Sequence, residues 1–363
     1  MKTTFIVLLI LHALIHLLGF LKAFQWLELK ELPLQLSKSM GLVWLLAAVG
    51  MVWVVLAFAW SGKYWWYLAL AVGMLSQVLI LAYWTEAKFG TIPNVLLLLV
   101  ALHAWSIDRF ERQIAAEVTD LYRPEAAAEG KEPMQALSAL PEPVQRWLRR
   151  SGATTLPIPA EVRIMQDFEL KLKPEQKNWY RGSASQYFNP LQPGFVWSLD
   201  LPILPLVTVK GRDLLYQGKG EMLIKLWSLI PMVDEKDNPK IDEGSLQRFL
   251  GELVWFPSAA RSSYIDWQPL GPNEAKATLS YWGQAATGTF TFDDSGRFLS
   301  FRTERYMGGE EGATRKTWIV AAKGYERMEG VEIPVHCEAT WLLDEDPWTW
   351  AQIHIRNLTY LRD

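Results

Sequence analysis

The 363 residues include one cysteine, Cys337, and only five histidines. A single cysteine cannot close an internal disulfide, and with no CxxC pair or Cys/His cluster there is no structural zinc site. Basic stretches are missing as well. Lys and Arg number 36 against 39 Asp and Glu, a net charge of −3, and the cations are scattered. Nucleic-acid binding needs clustered cations to displace counterions from phosphates, so that class of partner is excluded. Also absent are GxSxG, HExxH, a Walker-type loop and GxGxxG after a strand. His336 and Cys337 are neighbours on an expected strand, where successive side chains point to opposite faces, so they form no thiolate–imidazole pair. The sequence therefore argues against catalysis, and the expectation is a non-enzymatic protein without a cofactor.

What the sequence has in abundance is apolar surface. Half of the residues are hydrophobic and 19 are tryptophan, which rules out intrinsic disorder. Four runs, 3–21, 39–62, 64–85 and 89–107, contain no Lys, Arg, Asp or Glu. About 20 apolar residues cross a bilayer core as a helix, and Trp26, Trp60, Trp65, Trp66, Trp84 and Trp105 sit near the ends of these runs, where interfacial belts form. The first run lacks a small-residue cleavage site before Lys22 and reads as a span. Four spans in a cell membrane are expected. Cations on the two sides of those spans nearly balance, so the positive-inside rule places neither side.

Three regions follow: a four-helix transmembrane region at 1–107, a helical linker at 108–139 that includes the Ala/Glu-rich stretch 125–129, and a domain at 140–363. Residues 140–150 read as an amphipathic helix with Pro143 in its first turn. Beyond 160 the pattern becomes short alternating segments: 162–172, 179–188, 194–199, 206–212, 214–224, 275–281, 287–293, 297–306, 333–343 and 350–361. The turn Asp293-Asp294-Ser295-Gly296 between Phe292 and Phe298 marks a hairpin. One helix is expected over 242–255, stopped by Pro257, and the acidic stretch 234–237 before it reads as a solvated loop. The fold class is thus a four-span α-helical membrane bundle plus an α+β domain, with a mostly antiparallel sheet and covering helices.

Several strings in the second half carry a resemblance. Gln186-Tyr187-Phe188, Pro193-Gly194-Phe195-Val196-Trp197, Gly211-Arg212-Asp213, Gly218-Lys219-Gly220 and Glu252-Leu253-Val254-Trp255-Phe256-Pro257 resemble an uncharacterised bacterial family defined only as a domain of unknown function. The likeness continues through Phe292-Asp293 and Gly330-Val331-Glu332-Ile333-Pro334, and covers about the last 220 residues. His12 to Phe24 and Trp84 to Asn94 are similar to the four-span version of that family. The order of strands, helix and hairpins, with Tyr325, Gly330, Pro334 and the final strand, also resembles the LolA and LolB lipoprotein-carrier fold. That resemblance implies an open antiparallel half-barrel whose concave face holds acyl chains, and it leans the domain toward the extracytoplasmic side. Fold alone does not give function.

Candidate sites follow from residue type. Phe195, Trp197, Trp255, Phe256, Trp267 and Trp341 are candidates to line an apolar trough, with Trp282 and Trp318 beside them. The alternative is that these residues are simply core. His12 and His16, four apart on one face of the first span, and His103 near the end of the fourth are candidates for a metal or haem. The alternative there is polar packing against a neighbouring helix through Ser76 or Gln77. Arg181, Arg212, Asp213, Lys219 and Glu221 are charges in strand patterns, expected to pair on the outer face.

Three functions fit. The first is a membrane-anchored protein that binds or presents a lipid, acyl chain or other hydrophobic ligand, with the bilayer as its partner. The second is a redox or transport module working through His12, His16 and His103. The third is an interaction scaffold, whose protein partners the sequence does not name.

Overall fold

A computed structural model describes residues 2–27, 36–60, 62–123, 134–204, 207–344 and 346–361. The Ala/Glu-rich stretch 125–129, expected to be helical, lies outside them. The chain divides into two compact units, Met1–Phe110 and Glu111–Asp363.

The first unit contains α1 (Lys2–Ala23), α2 (Lys38–Ala59), α3 (Trp65–Ala82) and the first part of α4 (Thr91–Leu121). The segments Lys2–Ala23, Lys38–Ala59, Trp65–Ala82 and Trp84–Leu121 are long and apolar enough to cross a membrane. Small residues let the helices approach closely: a Cβ on Gly19 of α1 would stand 2.6 Å from the Trp44 ring of α2. Outward side chains stay uncovered, with Leu11 54% and Val78 63% exposed. A broad apolar exterior of this kind suits hydrocarbon rather than water.

The second unit is built on one antiparallel sheet. Its first six strands are β1 (Glu161–Leu170), β2 (Tyr180–Asn189), β3 (Gly194–Leu204), β4 (Val207–Tyr216), β5 (Lys219–Leu226) and β6 (Ile230–Glu235). After a helical insertion come β7 (Ile265–Gly271), β8 (Glu274–Tyr281), β9 (Gln284–Phe292) and β10 (Phe298–Tyr306). Long strands finish the unit: β11 (Arg315–Met328), β12 (Val331–Leu342) and β13 (Pro347–Leu361). The order is β6-β5-β4-β3-β2-β1-β13-β12-β11-β10-β9-β8-β7, so the last strand returns to pair with the first and the edges, β6 and β7, do not meet. This is an open half-barrel. Bulges at Met165/Gln166, Ala339/Thr340 and around Gly324 increase the local twist that rolls it.

Helix α5 (Glu142–Ser151) starts with Pro143 in its first turn and ends on Gly152 at φ +82°. Helix α6 (Pro239–Glu252) lies on the concave side and runs on into the turns Leu253–Trp255 and Pro257–Arg261. Asn238 caps it, and Leu246, Phe249 and Leu250 are fully buried at helical spacing. Each such side chain contributes about 1.5–3 kcal/mol on burial. Where α6 crosses β5, a Cβ on Gly220 would stand 2.5 Å from the Ile241 carbonyl, so the crossing requires glycine.

Four sequence expectations need correction. The break expected at Asp213 falls instead at Gln217-Gly218, where Gly218 has φ +72°, so Arg212 and Asp213 lie inside β4. The stretch 234–237, read as a loop, contributes to β6, and β7 was not anticipated. Both are edge strands carrying a proline, Pro231 and Pro269, which a sheet tolerates only where no ladder hydrogen bond is needed. Strand β11 escaped because its bulges at Gly324 break the alternation. The 287–301 hairpin turns as expected: Asp293 Oδ1 accepts from Ser295 N at 2.9 Å and Arg297 N at 2.8 Å, and Gly296 has φ +82°.

Candidate functional site

Two polar constellations stand out, one in each unit. In the first, His12 and His16 are one turn apart on α1, with ring centroids 4.7 Å apart. Their Nε2 atoms turn toward the same hydroxyl, Ser76 Oγ on α3, at 3.3 and 2.6 Å. His12 Nε2 also meets Asn94 Oδ1 at 2.9 Å, Ser76 donates to that oxygen at 3.0 Å, and Asn94 Nδ2 donates to Gln77 at 3.2 Å. The bonds describe polar packing between helices α1, α3 and α4, fully buried at His12, His16, Ser76 and Asn94. His103 stands nine residues beyond Asn94 on α4, a rise of roughly 13 Å, and the network does not include it. Among the described residues no group of three or more His, Cys, Asp or Glu gathers as a metal site.

In the half-barrel, the six aromatic candidates all enter one continuous core. Three of their four indole donors reach acceptors. Trp197 Nε1 donates to Gln166 Oε1 at 3.0 Å, Trp255 Nε1 to the Pro334 carbonyl at 3.0 Å, and Trp267 Nε1 to the Ala260 carbonyl at 2.9 Å. Trp255 and Phe256 fall on the turns after α6, where Tyr360 Oη donates to the Trp255 carbonyl at 2.5 Å. Phe256 packs on Phe188 with ring centroids 4.9 Å apart. Trp282 instead occupies the β8–β9 turn at φ +50° and is 56% exposed, so it lines no trough.

From Trp197 a buried polar chain crosses the concave face. Gln166 Nε2 donates to Gln186 Oε1 at 3.0 Å, and Gln186 Nε2 to Glu252 Oε2 at 2.8 Å. Arg248 on α6 then donates from Nε to Glu252 at 2.9 Å and from Nη1 to Asp213 at 2.5 Å. Burial pushes the Glu252 carboxyl up, and Arg248 opposes that shift. Burial, with Glu252 nearby, also raises the Cys337 thiol to about 12, which leaves it an inert packing residue. Arg248 thus ties α6 to the sheet through two carboxylates. The outer-face pairing expected for the strand charges holds for Arg181 with Glu169 at 2.8 Å and Arg212 with Glu221 at 2.8 Å. Asp213 faces inward instead, because the β4 register alternates around Leu215.

Beside this chain lies a row of tryptophans in register. Trp318 of β11 stands directly opposite Trp341 of β12, and Trp341 opposite Trp348 of β13. Arg305 of β10 lays its guanidinium 4.8 Å from the Trp318 ring centroid. Near the same strand ends, Tyr180, Ile203, Val209, Leu343, Trp348 and Trp350 pack against the core but are only partly buried. Tyr180 pairs with the buried Leu170, and Val209 with the buried Leu201, which puts both on the concave side. Of the candidates singled out by residue type, Trp341 and Trp318 belong to this row. Trp348 and Trp350 were legible only as aromatics at i, i+2 on a strand, and the polar chain required the register to be seen.

No curated protein matches the chain. Among solved structures, a LolA superfamily protein from Nitrosomonas europaea is similar, with 11% identity and a TM-score of 0.31, over 61% of this chain and 94% of that one. A beta-barrel-like protein of domain of unknown function DUF1849 from Brucella abortus is similar at 10% identity and a TM-score of 0.19, over 55% of this chain and 98% of that one. A family model, the family of unknown function DUF6920, matches residues 138–360, which is most of the chain and nearly the whole half-barrel. The chain belongs to the DUF6920 family.

Proposed function

We propose that the half-barrel holds an apolar ligand, a lipid or an acyl chain, on its concave face, and that the four apolar helices keep it at a membrane. The observation that carries this reading is the cluster of partly buried apolar side chains, Tyr180, Ile203, Val209, Leu343, Trp348 and Trp350, at one end of the concave face. A sheet covered for stability alone gains by burying such groups fully, at about 25 cal/mol per Å². Left half covered on an inward face, they suit a chain that comes and goes. In this reading Trp197 and Trp341 form the floor, Phe195, Trp255, Phe256 and Trp267 support it from the closed part of the core, and α6 is the covering element. The role is binding and presentation rather than catalysis. A membrane-tethered trough receives an acyl chain without exposing it to water, which avoids a cost of about 0.8 kcal/mol per methylene.

A photoreactive diazirine fatty acid, crosslinked to the full-length protein in mild detergent and mapped by peptide mass spectrometry, tests the reading. Adducts are expected near residues 180, 203, 209 and 341–350, and Ile203→Asp is expected to reduce them about tenfold. Labelling confined to residues 2–107 contradicts the proposal.

A further inference from the structure

Three indole N–H groups near one end of the sheet have no hydrogen-bond partner among the described residues: those of Trp318, Trp348 and Trp350. All three atoms are buried, and Trp318 as a whole is 5% exposed. This is not the habit of the core, since Trp197, Trp255 and Trp267 each reach an acceptor. An unmet buried donor costs about 1–3 kcal/mol, so three spread along the same strand ends of β11 and β13 point to a missing acceptor.

The charges lead to the same place. Arg248 is held between Asp213 and Glu252. Arg305, packed under α6 against Gly244 and over Trp318, makes no hydrogen bond and no ion pair among the described residues. Burial, with Arg248 nearby, lowers its guanidinium to about 10, which leaves it a cation at neutral pH. The charged groups around it are Arg248, Asp213 and Glu252, with Lys316 directly opposite on β11; the Asp213 and Glu252 carboxylates are committed to Arg248, and Lys316 is paired with Asp344. The Arg305 side therefore offers donors and a positive charge to match, with no anion.

We propose that Arg305, with the indoles of Trp318, Trp348 and Trp350, binds the head of an acyl ligand whose headgroup is an oxyanion, a carboxylate or a phosphate. The inference rests on the hydrophobic-ligand reading above and adds the polar end. A guanidinium stacked on an indole keeps its N–H edge free for two oxygens of one anion. The ladder from Trp318 through Trp341 to Trp348 spans two strand spacings, about 10 Å, so a bare carboxylate reaches only Arg305 and Trp318, whereas a phosphate seated there leaves the outer indoles of Trp348 and Trp350 to the ester oxygens of a longer headgroup. An acyl chain would then continue past Trp348 and Trp350 toward Ile203 and Val209.

The test uses the full-length protein in mild detergent and three radiolabelled probes: hexadecanoic acid, its methyl ester, and palmitoyl lysophosphatidic acid. At least one anionic probe is expected to bind ten times or more tighter than the ester, and which one does so separates carboxylate from phosphate. Arg305→Gln is expected to erase that preference while leaving ester affinity within twofold. Trp348→Phe, which replaces the indole with a smaller ring and removes the donor, is expected to weaken binding of palmitoyl lysophosphatidic acid about threefold or more and to leave that of hexadecanoic acid within twofold. Equal binding of acid and ester by the wild type, or a preference that survives in Arg305→Gln, overturns the headgroup assignment and leaves the apolar site standing. Failure of all three probes to bind overturns both.

Discussion

Arg248 lies 4.7 Å from the ring centroid of Trp197 while its Nη1 donates to Asp213 at 2.5 Å, so one side chain joins helix α6 to the sheet by charge and by ring contact. The pair is largely withdrawn from water, with the Arg248 side chain 13% exposed. Asp213→Ala removes one of two carboxylates facing a buried guanidinium. The expected cost is about 1.5–3 kcal/mol, and Asp213→Asn should cost less. In a unit of this size that lowers the melting temperature by several degrees in a thermal scan. A melt within one degree of wild type contradicts the linking role.

Met and unmet indoles predict opposite responses to the same change. Trp197→Phe leaves Gln166 without its donor and disturbs the chain to Glu252, which adds about 1–3 kcal/mol to the loss of ring area. Trp318→Phe removes a donor that has no partner among the described residues, so only the smaller ring counts against it. Thermal unfolding of the two variants in parallel should find Trp197→Phe the less stable. The reverse order contradicts the hydrogen-bond assignment.

The Asp293 turn supplies a pH dependence. Burial works to raise this carboxyl, but bonds from the Ser295 side chain and from the Arg297 and Ser295 backbone N–H groups outweigh it and hold the carboxyl below its usual value. A carboxylate depressed in the folded state adds stability above its unfolded pKa, and that stability is lost as pH falls through the folded value. Asp293→Asn should therefore flatten the stability curve between about pH 4 and its acid limit, at a cost near neutrality of about 1 kcal/mol. An unchanged acid limb in the variant would count against the turn's role.

In the helical unit, Ser76 serves two histidines at once. Ser76→Ala is expected to cost about 1 kcal/mol in a detergent unfolding titration, as interhelical polar contacts do. Because His16 acts through the same hydroxyl, Ser76→Ala and His16→Leu should be non-additive. Additive losses contradict the shared hydrogen bond.

Much of the architecture was legible in the sequence because its signals are local. Uncharged runs mark the apolar helices, Asp-Asp-Ser-Gly marks a hairpin turn, and Leu246, Phe249 and Leu250 mark the buried face of α6. Edge strands β6 and β7 were less legible, since proline and exposed charge, which belong at an edge, read as loop. The candidate site was harder still. Residue type pointed to aromatics such as Trp255 and Trp267, yet nothing local distinguishes an indole that finds a carbonyl across the core from one that does not. Arg305 and Arg248 likewise look alike in sequence. Only the packing of α6 on the sheet, which sets Arg248 against Asp213 and leaves Arg305 over Trp318, separates a paired cation from an unpaired one.

Native mass spectrometry of the full-length protein, released from mild detergent, tests the central claim most directly. A bound mass matching an acyl lipid, retained by the wild type and lost from Ile203→Asp with an unchanged melting temperature, is the predicted result. A bare polypeptide, or a lipid mass that Ile203→Asp retains in full, would contradict a ligand site on the concave face.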